Sequence, residues 1–277
     1  KGVDRMRSVL IAGGDRRQLA LARLMKNKGY RVSLIGFDML GYEEEAPKAP
    51  DIVLLPVPYR VPDGFNAPFA KIRLSLEDLV RRYPRSLWFL GCCDAAAREA
   101  FGGQIRYVDL MNNEAYQTKN ALLTAQAAVC AFHQSSDAAL CDLNCLVTGY
   151  GRIARFLSRL LAAHGARVTV AARRESDRVL AEAERMKAVH MREMTEVLPE
   201  ADAIFNTVPC RIFDAEALSL IRPGAVYMEL ASSPYGADIE YAKDLGVNVQ
   251  MEQGLPGRYF PVSAAKAILH AVESEEM

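Results

Sequence analysis

Leu143-Asn144-Cys145-Leu146-Val147-Thr148-Gly149-Tyr150-Gly151-Arg152-Ile153-Ala154 is the stretch from which the architecture of this chain can be worked out. An apolar run predicts a buried strand, and the glycine-spaced turn after it predicts a change of direction into a helix. Helical spacing follows in Ile153, Phe156, Leu157, Leu160 and Leu161, closed by His164-Gly165. A second strand, Arg167-Val168-Thr169-Val170, runs into Ala171-Ala172-Arg173-Arg174. Gly149 suits the tight turn, Gly151 lets the backbone approach a pyrophosphate, and Ala154 allows helix and strand to sit close. The first turn of the helix offers free N–H donors and the positive end of its dipole to phosphates. NAD sites place an acidic residue about 20 residues further on, where it binds the ribose 2′-hydroxyl. Here that place holds Arg173 and Arg174. Guanidinium groups cannot accept from a hydroxyl but pair bidentately with a 2′-phosphate. The expected cofactor is therefore NADP, bound by Gly149, Tyr150, Gly151, Arg152, Ile153, Arg173 and Arg174. Plain turn glycines and a solvated strand end are the alternative reading.

Outward from this unit, the chain has 277 residues, enough for two domains. Its 51% hydrophobic and 25% charged content is that of a soluble globular protein. Thirty-four basic and thirty-four acidic residues cancel, which argues against a nucleic-acid partner. The sequence holds no apolar run near the length of a membrane span. The first seven residues carry no secretory pattern, and a cytoplasmic location is expected. Six cysteines, Cys92, Cys93, Cys130, Cys141, Cys145 and Cys210, are scattered without ligand spacing. They are expected to be reduced and mostly buried, with no metal site.

Strand and helix patterns alternate on both sides of the opening stretch, so the fold class is α/β. Two Rossmann-like, doubly wound parallel-sheet domains are expected, joined by a long helix, with a cleft between them. Residues 1–112 form the N-terminal substrate domain, 113–140 the linking helix and 141–260 the dinucleotide-binding domain. Residues 261–277 form a helix returning to the first domain. Expected strands in the first region are 8–12, 31–36, 51–56, 86–90 and 105–109, with helices at 16–28, 76–83 and 94–101. Residues 41–50 and 57–68 are expected loops. Beyond Arg174 the second region has expected strands at 203–206, 225–229 and 248–251, and a tail helix at 264–272.

Chemistry is sought at strand ends. Gly13-Gly14-Asp15-Arg16-Arg17-Gln18 joins a strand to a helix and reads as an anion site. Arg16 and Arg17 are candidate substrate ligands, and Asp15 is the candidate for proton handling or orientation, or else simply the helix N-cap. Asn206, Thr207, Val208 and Pro209 end a strand of the cofactor domain, where backbone groups meet the nicotinamide end, or else form a plain turn. Ser232 and Ser233 follow the next strand. Arg258, in a loop at 254–261, follows the one after and suits a carboxylate unless it lies in solvent. His133 on the linking helix is a base or, more simply, a packing histidine.

These stretches together resemble the family of dipicolinate synthase A subunits of spore-forming bacteria. The likeness is carried by Gly13-Gly14-Asp15-Arg16-Arg17-Gln18, Asn113, Asn120-Ala121-Leu122-Leu123-Thr124-Ala125 and Gly149-Tyr150-Gly151-Arg152-Ile153-Ala154. It continues in Ala171-Ala172-Arg173-Arg174, Ala231-Ser232-Ser233-Pro234 and Leu255-Pro256-Gly257-Arg258. Gln126-Ala127 departs from the Glu-Gly of the family pattern. The resemblance implies NADP-linked oxidation of a cyclic dihydrodipicolinate-type dicarboxylate to dipicolinate. It also implies, as partner, a flavoprotein-like second subunit of B type, places the chain in the mother cell during sporulation, and leaves room for a homo-oligomer. The competing readings are a two-domain dehydrogenase of the hydroxyacid type, a relative of adenosylhomocysteine hydrolase, and a cofactor-binding subunit inactive without its partner.

Overall fold

The computed structural model describes residues 6–42 and 47–276. Part of the expected 41–50 loop and the first five residues lie outside that range. The chain divides into two compact units, one of Lys1–Asn120 with Phe260–Met277 and one of Ala121–Tyr259.

Unit one holds β1 (Ser8–Ala12), β2 (Arg31–Ile35), β3 (Ile52–Leu54), β4 (Arg60–Val61), β5 (Gly64–Phe65), β6 (Leu87–Leu90) and β7 (Tyr107–Asp109). Five of these strands form a parallel sheet in the order β2-β1-β3-β6-β7. Its helices are α1 (Arg16–Asn27), α2 (Leu76–Arg82), α3 (Ala95–Phe101) and, from the far end of the chain, α10 (Pro261–Glu276). Alternate residues of each strand divide between two cores. Val9, Ile11, Ile52, Leu54 and Phe89 meet α1 and α10 through Leu21, Met25, Ile268 and Val272. Leu10, Val53, Trp88 and Leu90 meet α2 and α3 through Leu79, Val80, Ala97 and Phe101. The continuous apolar runs follow from this burial on both faces.

The boundary between the units falls inside α4 (Glu114–Ser135). Unit two then runs β8 (Asn144–Thr148), α5 (Arg152–Ala163), β9 (Arg167–Ala172), α6 (Glu175–Ala183), β10 (Lys187–His190), β11 (Ala203–Asn206), α7 (Ala215–Ser219), β12 (Val226–Glu229), α8 (Ile239–Asp244), β13 (Asn248–Met251) and α9 (Leu255–Tyr259). Its six strands are all parallel, in the order β10-β9-β8-β11-β12-β13. This is the doubly wound order that reverses beside its first strand, so ligands gather where β8 and β11 diverge.

Four expectations need correction. The loop at 57–68 contains the antiparallel β4–β5 hairpin. Strand β10 and the 3-10 helix after it, Met191–Glu196, went unread because four residues at a half-exposed sheet edge give little apolar signal. Residues 255–259 form α9 and Pro261 opens α10, although Gly254, Pro256 and Gly257 read as a turn. Of the six cysteines only Cys145 is buried, and burial pushes its thiol up to about 12; Cys92, Cys130, Cys141 and Cys210 are exposed and Cys93 is intermediate. Apolar neighbours in sequence did not imply an inward face. Among the described residues no helix is long and apolar enough to cross a membrane, and no group of three or more His, Cys, Asp or Glu could hold a metal ion.

Candidate functional site

Strand β8 ends at Thr148 and the chain turns at Gly149 with φ +83°. A Cβ at 149 would lie 2.9 Å from both Thr207 Oγ1 and Val208 Cγ2, so the turn itself demands glycine. Gly151 is different. It is the N-cap of α5 with φ −76°, a conformation open to any residue, and a Cβ there would meet nothing within 4 Å. No neighbour in the fold requires glycine at 151, whereas a phosphate seated on the helix N-terminus would. Ala154, fully buried, lets α5 lie close on the sheet.

Around this turn lies a cleft of about 550 Å³ walled by Gly149, Tyr150, Gly151, Arg173, Arg174, Thr207, Val208 and Pro209, with Ala172, Asp177 and Met191 completing it. Eight of the eleven expected cofactor residues are thus neighbours. Arg152, Ile153 and Asn206 are not among the walls. Tyr150 contributes mainly backbone: its ring is buried and its hydroxyl donates to Glu184 at 3.1 Å. Burial, then the Glu184 carboxylate, push that phenol up to about 12. Thr207 Oγ1 donates to the Thr148 carbonyl at 2.7 Å, which locks the opposite wall.

The two arginines differ in state. Arg174 reaches Asp177 through Nε at 2.8 Å and a terminal nitrogen at 3.2 Å, and Arg155 approaches the same carboxylate at 3.4 Å. The Arg173 guanidinium has no partner among the described residues. Sequence spacing gave them one role; Asp177, buried in the first turn of α6, separates them.

Asn206 is fully buried and does not wall the cleft. In adjacent register, Thr148, Asn206 and Glu229 form a polar row across β8, β11 and β12. Thr148 Oγ1 donates to Asn206 Oδ1 at 2.6 Å, and Asn206 Nδ2 donates to Glu229 Oε1 at 2.7 Å. Glu229 also accepts from Tyr227 OH at 2.9 Å and from the backbone N–H groups of Ala231 and Gly236 at 3.0 and 2.8 Å. Burial and this carboxylate push the Tyr227 phenol far above its ordinary value. The loop so anchored carries Ser232 and Ser233, both exposed. Arg258, on α9 rather than in a loop, donates to Glu252 at 2.5 Å.

In unit one, Asp15 is the N-cap of α1 and shares a capping box with Gln18. Its carboxylate also receives Arg17 Nε and the adjacent terminal nitrogen at 2.9 Å each. Arg17 is buried; burial alone would lower its pKa, but the hydrogen bonds and charge of Asp15 outweigh that and raise it. Arg16 is exposed, and its side chain has no partner among the described residues. His133, at the last turn of α4, has its ring 5.7 Å from that of Phe132.

Residues 8–111 match the family model that describes the N-terminal domain of the dipicolinate synthase A subunit. Over 95% of its length the chain is 28% identical to the dipicolinate synthase A subunit of Bacillus subtilis strain 168, covering 94% of that protein. The crystal structure of the dipicolinate synthase A subunit from Bacillus halodurans superposes with a TM-score of 0.85 at 26% identity, covering 97% of each chain. The chain is similar to dipicolinate synthase A subunits along nearly its whole length. Residues 131–234 match the NAD-binding domain of D-isomer-specific 2-hydroxyacid dehydrogenases, so the chain carries a nicotinamide-binding domain of the oxidoreductase type. The fold is shared more widely: a transhydrogenase from Sinorhizobium meliloti superposes with a TM-score of 0.62 at 15% identity, covering 97% of this chain and 93% of that one.

Proposed function

We propose that this chain is the A subunit of a dipicolinate synthase, an NADP-linked dehydrogenase that oxidises a dihydrodipicolinate-type ring dicarboxylate to dipicolinate. The observation that carries the reading is Gly151, whose α-carbon faces open space at the N-terminus of α5. Such a cradle fits a pyrophosphate, and a Cβ would fill it. The bound nicotinamide would take a hydride from a ring carbon while a proton leaves the ring, giving an aromatic pyridine and reduced cofactor. The chain's own contribution is placement and charge. Gly149, Tyr150 and Gly151 present backbone to the phosphates, and Thr207, Val208 and Pro209 form the wall on the nicotinamide side. Arg173 supplies positive charge for the 2′-phosphate, with no acidic residue at the end of β9 to prefer a free hydroxyl.

Within unit one, Arg16 is the guanidinium open to a substrate carboxylate, since Arg17 already holds Asp15. Within unit two, Arg258 is held by Glu252, and the exposed hydroxyls of Ser232 and Ser233 are the candidate substrate contacts. Asp15 orients Arg17 and is the group of unit one assigned to proton handling. The lettered naming of the relatives implies a companion, here a flavoprotein-like B subunit, in the cytoplasm of a sporulating mother cell.

The test mixes the purified chain with NADP and dihydrodipicolinate and follows the absorbance of reduced cofactor, with and without the B subunit. Growth of the signal with the chain alone is the expected result. Growth only once the companion is added would favour a cofactor-binding subunit that needs its partner. No signal in either arm would overturn the assignment.

A further inference from the structure

Beside the phosphate-loop cleft lies a second basin of about 550 Å³, and Arg173 and Met191 wall both. We propose that this basin holds the 2′-phosphate, gripped by Arg173 and Arg192 with the His190 ring as a further donor, while Arg174 takes no part. The inference rests on the reading of unit two as an NADP site and changes which residues select the cofactor.

Register brings the pair together. Strands β9 and β10 run parallel with Ala172 opposite His190, so Arg173 and Met191 leave adjacent strand ends, about 4.8 Å apart. Arg192 follows at once, and the residues lining the basin include Arg173, His190, Arg192 and Thr195. Neither the Arg173 nor the Arg192 guanidinium has a side-chain partner among the described residues. Two unpaired guanidinium groups on one concave wall suit a dianionic phosphate, which can accept from both in bidentate fashion. His190 Nδ1 accepts from the Arg192 backbone N–H at 3.2 Å. A neutral ring in that state carries its proton on Nε2, which is then a donor. The one carboxylate on the wall, Asp214, is occupied as N-cap of α7 through Ala217 N–H at 2.9 Å.

Arg174 is excluded by what its release would leave behind. Asp177 has 7% exposure, and without Arg174 its remaining cationic contact is Arg155 at 3.4 Å. A buried carboxylate stripped of its nearer partner is costly, so the pair should persist with cofactor bound.

Calorimetric titration of the full chain with NADP and, separately, with NAD tests this in wild type, Arg173→Gln, Arg174→Gln and Arg192→Gln. Thermal melting confirms that each variant folds. Arg173→Gln and Arg192→Gln should each weaken NADP about tenfold or more and leave NAD within about twofold, as expected for loss of a charged phosphate contact. Arg174→Gln should leave the ratio of NADP to NAD affinity unchanged. A ratio untouched by Arg192→Gln, or abolished by Arg174→Gln, would overturn the inference while dinucleotide binding stands. Wild type that binds NAD more tightly than NADP overturns it as well. Failure to bind either dinucleotide would sink the underlying reading instead.

Discussion

Glu229 shows what a single side chain does here. It is a fully buried carboxylate held by four neutral donors, two on each oxygen, and no Lys, Arg or His pairs with it among the described residues. Two of those donors are the backbone N–H groups that bracket the loop carrying Ser232 and Ser233. Glu229→Gln would turn one acceptor oxygen into an NH₂ facing donors. Each buried group orphaned in this way costs about 1–3 kcal/mol. Denaturant unfolding should therefore show a loss of about that size, and a variant as stable as wild type would refute the account. Nothing in the sequence separated Asn206, read as a cofactor contact, from Glu229, read only as the last residue of a strand. Spacing places a residue at a strand end. Which way its side chain turns depends on the neighbour across the ladder, and here Thr148, Asn206 and Glu229 satisfy one another.

At the scale of elements, the β8–turn–α5–β9 unit was legible because its signals agree: an apolar run, a glycine at positive φ, helical spacing and a second strand. Strand β10, α9 and the β4–β5 hairpin were not legible. Their residues are few and half exposed, or carry Gly and Pro that mimic turns. The two glycines of the turn make a prediction that separates fold from ligand. Serine is at least as good an N-cap as glycine, and its hydroxyl can accept from a first-turn N–H. Gly151→Ser should therefore hold or raise the melting temperature while placing a side chain in the phosphate cradle. Dinucleotide affinity should fall about tenfold or more, equivalent to about 1.4 kcal/mol. Gly149→Ser should instead destabilise the chain, because its Cβ would strike Thr207 and Val208. Paired melting curves and cofactor titrations decide it: unchanged affinity in Gly151→Ser would mean that no phosphate approaches this helix end.

For the molecule as a whole, the buried neutral acids predict where stability fails with pH. Burial pushes Tyr116 in unit one, and Tyr150 and Cys145 in unit two, up to about 12, and Tyr227 higher still. A group whose pKa is raised on folding keeps its proton longer in the folded state than in the unfolded one. Unfolding then releases protons once the pH exceeds the unfolded value, and stability falls with rising pH. For these groups the contribution is complete below pH 9, the ordinary value of the thiol. It begins to fall there for Cys145, steepens above 10 as the tyrosines join, and continues toward 12. Because both units hold such a group, both should lose stability in this window. Melting followed by circular dichroism across it should show a falling midpoint, with the phenolate absorbance of the buried tyrosines appearing together with the loss of helix. Phenolate growth to the full signal of all eleven tyrosines in a chain that keeps its helical signal would mean the buried hydroxyls ionise in place, contrary to their burial. A chain whose midpoint holds steady to pH 12 would likewise contradict it.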